Sequence, residues 1–151
     1  MESCSLAGVD FEQVRAVVAA YPATRLVEAD GDVFAIYDPD GDYEQRPRQG
    51  WATIVNSDVN DTASDLGRPG VFRLNIGLPK ARFAALFAGG GAHDTTALDV
   101  VMPHPVYAGY HWICVLNPDT TWPEVHGFLD EAHAFAARKH DNAAKRREQR
   151  A

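Results

Sequence analysis

"TRLVEADGDVFAIYD", residues 24–38, decides the fold class. Two short runs rich in β-branched and aromatic residues flank Asp30-Gly31, a two-residue connection that tolerates positive φ and suits a tight hairpin. A hairpin pairs its strands antiparallel, so the sheet is expected to begin this way and not through a parallel crossover. On the N-terminal side, VDFEQVRAVVAAY (9–21) reads as a helix. Asp10 stands as N-cap, Gln13 as its capping-box partner and Val9 opposite Val14 as a hydrophobic staple, with Phe11, Val14, Val18 and Tyr21 forming the apolar stripe. Pro22 ends it.

On the C-terminal side the turn-rich segment 38–50 leads to three further strand patterns, WATIVN (51–56), VFRLNIG (71–77) and HWICVLN (111–117). Pro79 opens a helix that the glycines at 89–91 close, and residues 96–101 are expected to form a short helical turn. Thr121 with Glu124 makes a second capping box over the long amphipathic stretch 122–140, where Val125, Phe128, Leu129, Ala132 and Phe135 recur at helical spacing. The connections are too short for crossovers at most steps. The expected fold is therefore α+β: a mostly antiparallel sheet of about five strands, with the N- and C-terminal helices packed on one face. Residues 1–137 form one α+β domain and 138–151 a basic C-terminal tail.

Composition narrows the function classes. Among 151 residues, 46% apolar and 23% charged is ordinary for a globular domain. No run of about 18 apolar residues could span a bilayer, which predicts no membrane partner. The N-terminal stretch shows no basic segment followed by an apolar one, so a cytoplasmic location is expected. Cys4 and Cys114 are expected to be free thiols. The net charge of −7 is uneven, because residues 138–151 hold six Lys/Arg against Asp141 and Glu148. The acidic remainder repels nucleic acid, making that partner unlikely outside weak contacts through the tail.

Alternation assigns side chains to faces. One face is expected to collect Phe34, Ile36, Ala52, Ile54, Phe72, Leu74, Ile76, Trp112, Cys114 and Leu116 beneath the helices. The other collects Tyr37, Trp51, Thr53, Arg73, Asn75, His111 and Asn117, rings beside a guanidinium and hydrogen-bonding groups, which suits a small anionic or carbonyl-bearing ligand. Such polar wall positions are expected to matter little for stability. The 14-residue loop 57–70, carrying Asp58, Asp61, Asp65 and Arg68, has the length of a binding loop. His104 and Tyr107, stiffened by Pro103 and Pro105, are candidate catalytic residues as an acid/base pair held over this wall. Asp38-Pro-Asp40-Gly-Asp42 departs from a calcium loop, and His126, Asp130 and His133 lack a metalloprotease pattern, so neither metal nor cofactor is expected. No nucleotide-binding glycine motif, serine-hydrolase elbow or CxxC pair is present.

The segments "YDPDGD", "DTASDLGRPGVFRLNIG" and "HPVYAGYHWICVLNP" resemble an uncharacterised actinobacterial domain-of-unknown-function family over roughly residues 34–137. The order of elements is distantly similar to the MmcQ/YjbR-like proteins, compact α+β folds for which DNA or small-molecule binding has been suggested. The resemblance implies Asp65, Arg68, Arg73, Asn75, His104, Tyr107, Trp112 and Asn117 as candidate positions. The functional expectation is a small-molecule-binding protein, an enzyme or accessory factor in specialised metabolism, with its ligand on the open sheet face. The alternatives are a protein-interaction module using the aromatic face and weak nucleic-acid binding through the tail.

Overall fold

A computed structural model describes residues 9–150. In chain order it contains α1 (Phe11–Ala19), β1 (Thr24–Ala29), β2 (Asp32–Tyr37), β3 (Ala52–Val55), β4 (Arg73–Gly77), α2 (Lys80–Leu86), β5 (Met102–Pro103), a 3-10 turn (Ala108–Tyr110), β6 (Trp112–Leu116) and α3 (Trp122–Arg150). The six strands form one sheet in the order β1-β2-β3-β4-β6-β5, each neighbouring pair antiparallel. The fold is α+β, with six strands where about five were expected. The additional one is the two-residue β5, too short to show alternation.

Local signals produce the expected structures at the hairpin and at α1. Ala29 pairs with Asp32 across a turn in which Asp30 (φ 55°) and Gly31 (φ 83°) are both left-handed, the geometry a two-residue hairpin with right-twisted strands requires. The Asp10 carboxylate accepts from the Gln13 amide and the Gln13 side chain accepts from the Asp10 amide, both at 2.8 Å, completing the capping box of α1. At α3 the expected capping box between Thr121 and Glu124 does not form, because Thr121 instead donates its hydroxyl to Asp99, 22 residues away. Asp99 accepts from the backbone N–H groups of Asp119, Thr120 and Thr121 and from both threonine hydroxyls. Burial alone would raise its pKa, yet these donors hold it well below the usual carboxylate range. Residues 96–101 are not a helical turn as expected: Leu98 bridges Leu116 in an extended conformation, and Asp99 takes φ 60° to present its carboxylate.

The core lies between one sheet face and the helices. Val33, Ala35, Ala52, Ile54, Leu74, Ile76, Ile113 and Val115 meet Val14 and Val18 of α1 and Val125, Phe128, Leu129 and Ala132 of α3. The face expectation is therefore met on β3 and β4 and corrected on β2 and β6. On β2 the small residues Val33 and Ala35 face the helices, and Ala35 sits directly across from Ala52. That pair of alanines lets the helices approach closely. On β6, His111 adopts φ 69° and interrupts the extended strand, so the phase of Trp112 is set by pairing with β4. Phe34, Ile36, Trp112, Cys114 and Leu116 consequently lie on the face that no helix covers. α3 continues without interruption through residues 138–150. Among the described residues no helix is long and apolar enough to cross a membrane.

Candidate functional site

The helix-free face carries a cleft of about 590 Å³. Its floor consists of Thr53, Arg73 and Asn75 with Phe34, Ile36 and Trp112, and its rim comes from three loops contributing Tyr43 and Arg48, Asn60 and Asp61, and Val106 and Tyr107. The floor follows from register: Thr53 pairs with Asn75, Asn75 with Cys114, and Gly77 with Trp112, which puts these side chains on one surface. Gly77 is required here, because a Cβ at this position would stand 2.9 Å from the Trp112 ring.

Arg73 anchors the floor and is only 1% exposed, so it is not the solvated wall cation expected from alternation. Its Nη1 and Nη2 donate to the two carboxylate oxygens of Asp61 (3.0 and 2.8 Å), Nη1 also to Ser64 Oγ (2.9 Å), and Nε to Asn75 Oδ1 (2.9 Å). The hydrogen bond from Arg73 holds the Asp61 carboxyl below its ordinary range. The guanidinium fork is thus occupied by the chain's own carboxylate. It clips loop 57–70 to the sheet and orients Asn75, whose amide nitrogen has no partner among the described residues.

Asp32, on β2 across Val55 from Arg73, was not singled out by the sequence. It is 1% exposed and accepts from Asn60 Nδ2 (2.7 Å) and the Asn56 amide (3.4 Å), with no cation paired to it among the described residues. Burial raises its pKa in spite of those donors and the nearby Arg73. Asn60 was likewise missed, and Asp61 was read only as one of the carboxylates on the binding loop. The only signal for them was the density of Asp and Asn in loop 57–70.

His104 and Tyr107 do reach this face, their rings 4.9 Å apart between centroids. His104 is buried, and its Nδ1 accepts from the backbone N–H groups of Val106 (3.0 Å) and Tyr107 (2.9 Å). Accepting there puts the ring proton on Nε2, which is buried without a partner. Burial, reinforced by Arg73, pushes the imidazole pKa from 6.5 down to about 4. At neutral pH this neutral ring caps the turn that presents Tyr107 at the cleft mouth. Cys114, buried beneath, has its thiol pushed up to about 12 by burial, which suits a small core side chain.

The other candidate residues lie elsewhere. Tyr37 and Trp51 belong to the helix side: Tyr37 packs edge-on to His133 and His140, and Trp51 to Tyr21 and His133. His111 sits beside Phe83 after the 3-10 turn. Asn117 clamps the far end of β6, accepting from the Phe72 amide and donating to Gly70 O. Arg68 donates to the carbonyls of Ser64, Asp65 and Thr96, and Asp65 is an exposed left-handed residue of the same loop. The carboxylates of the imperfect calcium-loop motif are used internally, since Arg48 bridges Asp38 (2.6 Å) and Asp42 (3.0 Å). Asp130 and His133 bind Tyr21 and the Pro22 carbonyl.

No curated protein and no solved structure matches the chain. A family model described as a family of unknown function (DUF6194) matches residues 9–147, nearly the whole length and every element from α1 through most of α3, and the chain belongs to that family.

Proposed function

We propose that this protein binds a small molecule in the helix-free cleft, as a binding or accessory protein or an enzyme. The observation that carries the reading is the make-up of the floor: a broad apolar surface of Phe34, Ile36 and Trp112 into which a few polar groups converge. Ligand sites commonly combine apolar area for affinity with a small number of placed polar groups for orientation. The polar groups free of an ion pair are the Thr53 hydroxyl, the Asn75 amide and the buried Asp32 carboxylate, which already accepts from Asn60 and Asn56, while the guanidinium of Arg73 is held by Asp61. A flat, mainly apolar molecule with a neutral or cationic hydrogen-bonding head fits this set better than the anion expected from the residue types alone.

A protein partner at the same mouth is the second reading, favoured by Val106, Tyr107 and Tyr110, which stand 52%, 49% and 73% exposed on one turn. Native mass spectrometry of freshly purified protein separates the two. A retained small molecule is expected, and Thr53→Phe, which fills the floor, is expected to remove it while leaving the circular dichroism spectrum unchanged. Wild-type protein that carries no small molecule, and that captures a protein partner lost on Tyr110→Ala, would overturn the small-molecule reading.

A further inference from the structure

A second concavity, of about 420 Å³, lies on the opposite side of the 42–50 segment, between that segment and the C-terminal half of α3. Its lining runs against the charge of the chain. Arg46, Arg48, Lys139, Arg146 and Arg147 converge there with one carboxylate, Asp42, although the net charge of the whole protein is −7. Arg48 and Arg46 are balanced by Asp42 and Asp38. Lys139, Arg146 and Arg147 line it from α3 with no ion-pair partner among the described residues; all three are exposed, and the Lys139 ammonium rests over the Phe135 ring at 4.4 Å. An excess of cations along one groove gives it a positive potential that attracts an anion.

The floor gives a second, independent sign of a ligand. Trp51 is 3% exposed and lines this groove, and its indole N–H is buried without a hydrogen-bond partner among the described residues. A buried donor left unmade is costly, so an acceptor oxygen that reached it from the groove would be favoured. Tyr37 forms the adjoining wall, its orientation fixed by edge-on contacts with His133 and His140.

We infer that this groove is an anion site for a phosphate-bearing small molecule, separate from the helix-free cleft. The cations bind the phosphate oxygens and the Trp51 N–H supplies a further donor. A small molecule is favoured over a nucleic acid because the concavity is only about 420 Å³ and the protein as a whole carries a net charge of −7, which repels an extended polyanion.

Isothermal titration of the full chain with inorganic pyrophosphate at low salt tests this. Saturable one-site binding is expected, weakened about tenfold or more by Lys139→Ala and by Arg147→Gln, as the loss of a charge-assisted contact implies. Arg15→Ala, on α1, is expected to leave binding unchanged. Arg147 is exposed near the end of α3, so its replacement leaves the fold intact and keeps the comparison interpretable should Lys139→Ala disturb packing. Absence of saturable binding would overturn the inference, as would an equal loss in Arg15→Ala, which would reveal general charge attraction. A short single-stranded DNA that binds more tightly than pyrophosphate, and is released by Arg147→Gln, would overturn it in favour of nucleic acid.

Discussion

His104 shows how one residue type can serve opposite ends. In the sequence, a histidine between two prolines and near a tyrosine looks like a proton carrier. In the fold its Nδ1 takes two backbone N–H groups and its ring is kept neutral. This has a pH signature. The folded-state pKa is lowered to about 4 while the unfolded value stays near 6.5, so the unfolded chain binds the proton first. Stability therefore falls as pH drops from about 6.5 to about 4, by up to about 3 kcal/mol from this residue, and is fully retained above that window. Asparagine at this position offers an oxygen to the same two N–H groups and does not titrate. In urea unfolding across this range, His104→Asn is expected to lose less stability on acidification than the wild type, and parallel losses would refute the assignment. The proximity of His104 and Tyr107 was legible from spacing. The role of His104 was not, because it depends on which ring nitrogen the turn occupies and on burial beneath distant residues.

Among the elements, local pieces were the most readable. The hairpin and the capping box of α1 are encoded within a few residues, so the sequence there carries its own geometry. The faces of β2 and β6 were not readable, because both sides of DVFAIY and WICVL are apolar and alternation has no contrast to work with. The left-handed His111 then resets the phase of β6. The joining of loop 57–70 to β4 was hidden for another reason: the partners Arg73 and Asp61 are 12 residues apart, and only folding brings the loop over the strand. That buried bidentate pair is expected to hold the loop. Arg73→Ala leaves Asp61, Asn75 and Ser64 without their donor and is expected to cost about 3 to 5 kcal/mol. It is also expected to make the loop between residues 57 and 70 the first site of limited proteolysis. A loss under about 1 kcal/mol with an uncut loop would show that the pair is dispensable. This reverses the expectation of a solvated Arg73, since an arginine in strand alternation looks the same whether it meets water or a carboxylate.

For the whole molecule, the α+β class and the placement of both terminal helices on one face were legible from element order and connection length. The reach of α3 was not, because its charged second half lacks an apolar stripe and reads as a tail. At about 1.5 Å per residue its 29 residues span roughly 44 Å, well past the sheet. The buried residues Val125, Phe128, Leu129 and Ala132 all lie in the first half, while the second half touches the body through His140, bonded to Asp40 at 3.0 Å and edge-on to Tyr37. Deleting residues 138–151 is therefore expected to leave a folded protein within about 1 kcal/mol of the full chain in denaturant unfolding. A loss several times larger would make the basic half an integral part of the folding unit. The order of the strands has a different consequence, for crowded solutions. At one margin of the sheet stands β5, two residues long, with Pro103 unable to donate a backbone hydrogen bond. At the other stands β1, where Arg25 and Glu28 are tied into ion pairs with Glu44 and Arg15. Neither border offers a long, flat, uncharged row of backbone groups, so the sheet is poorly suited to recruiting another chain into a continuous ribbon, and fibrous aggregation would first require one of these borders to come apart.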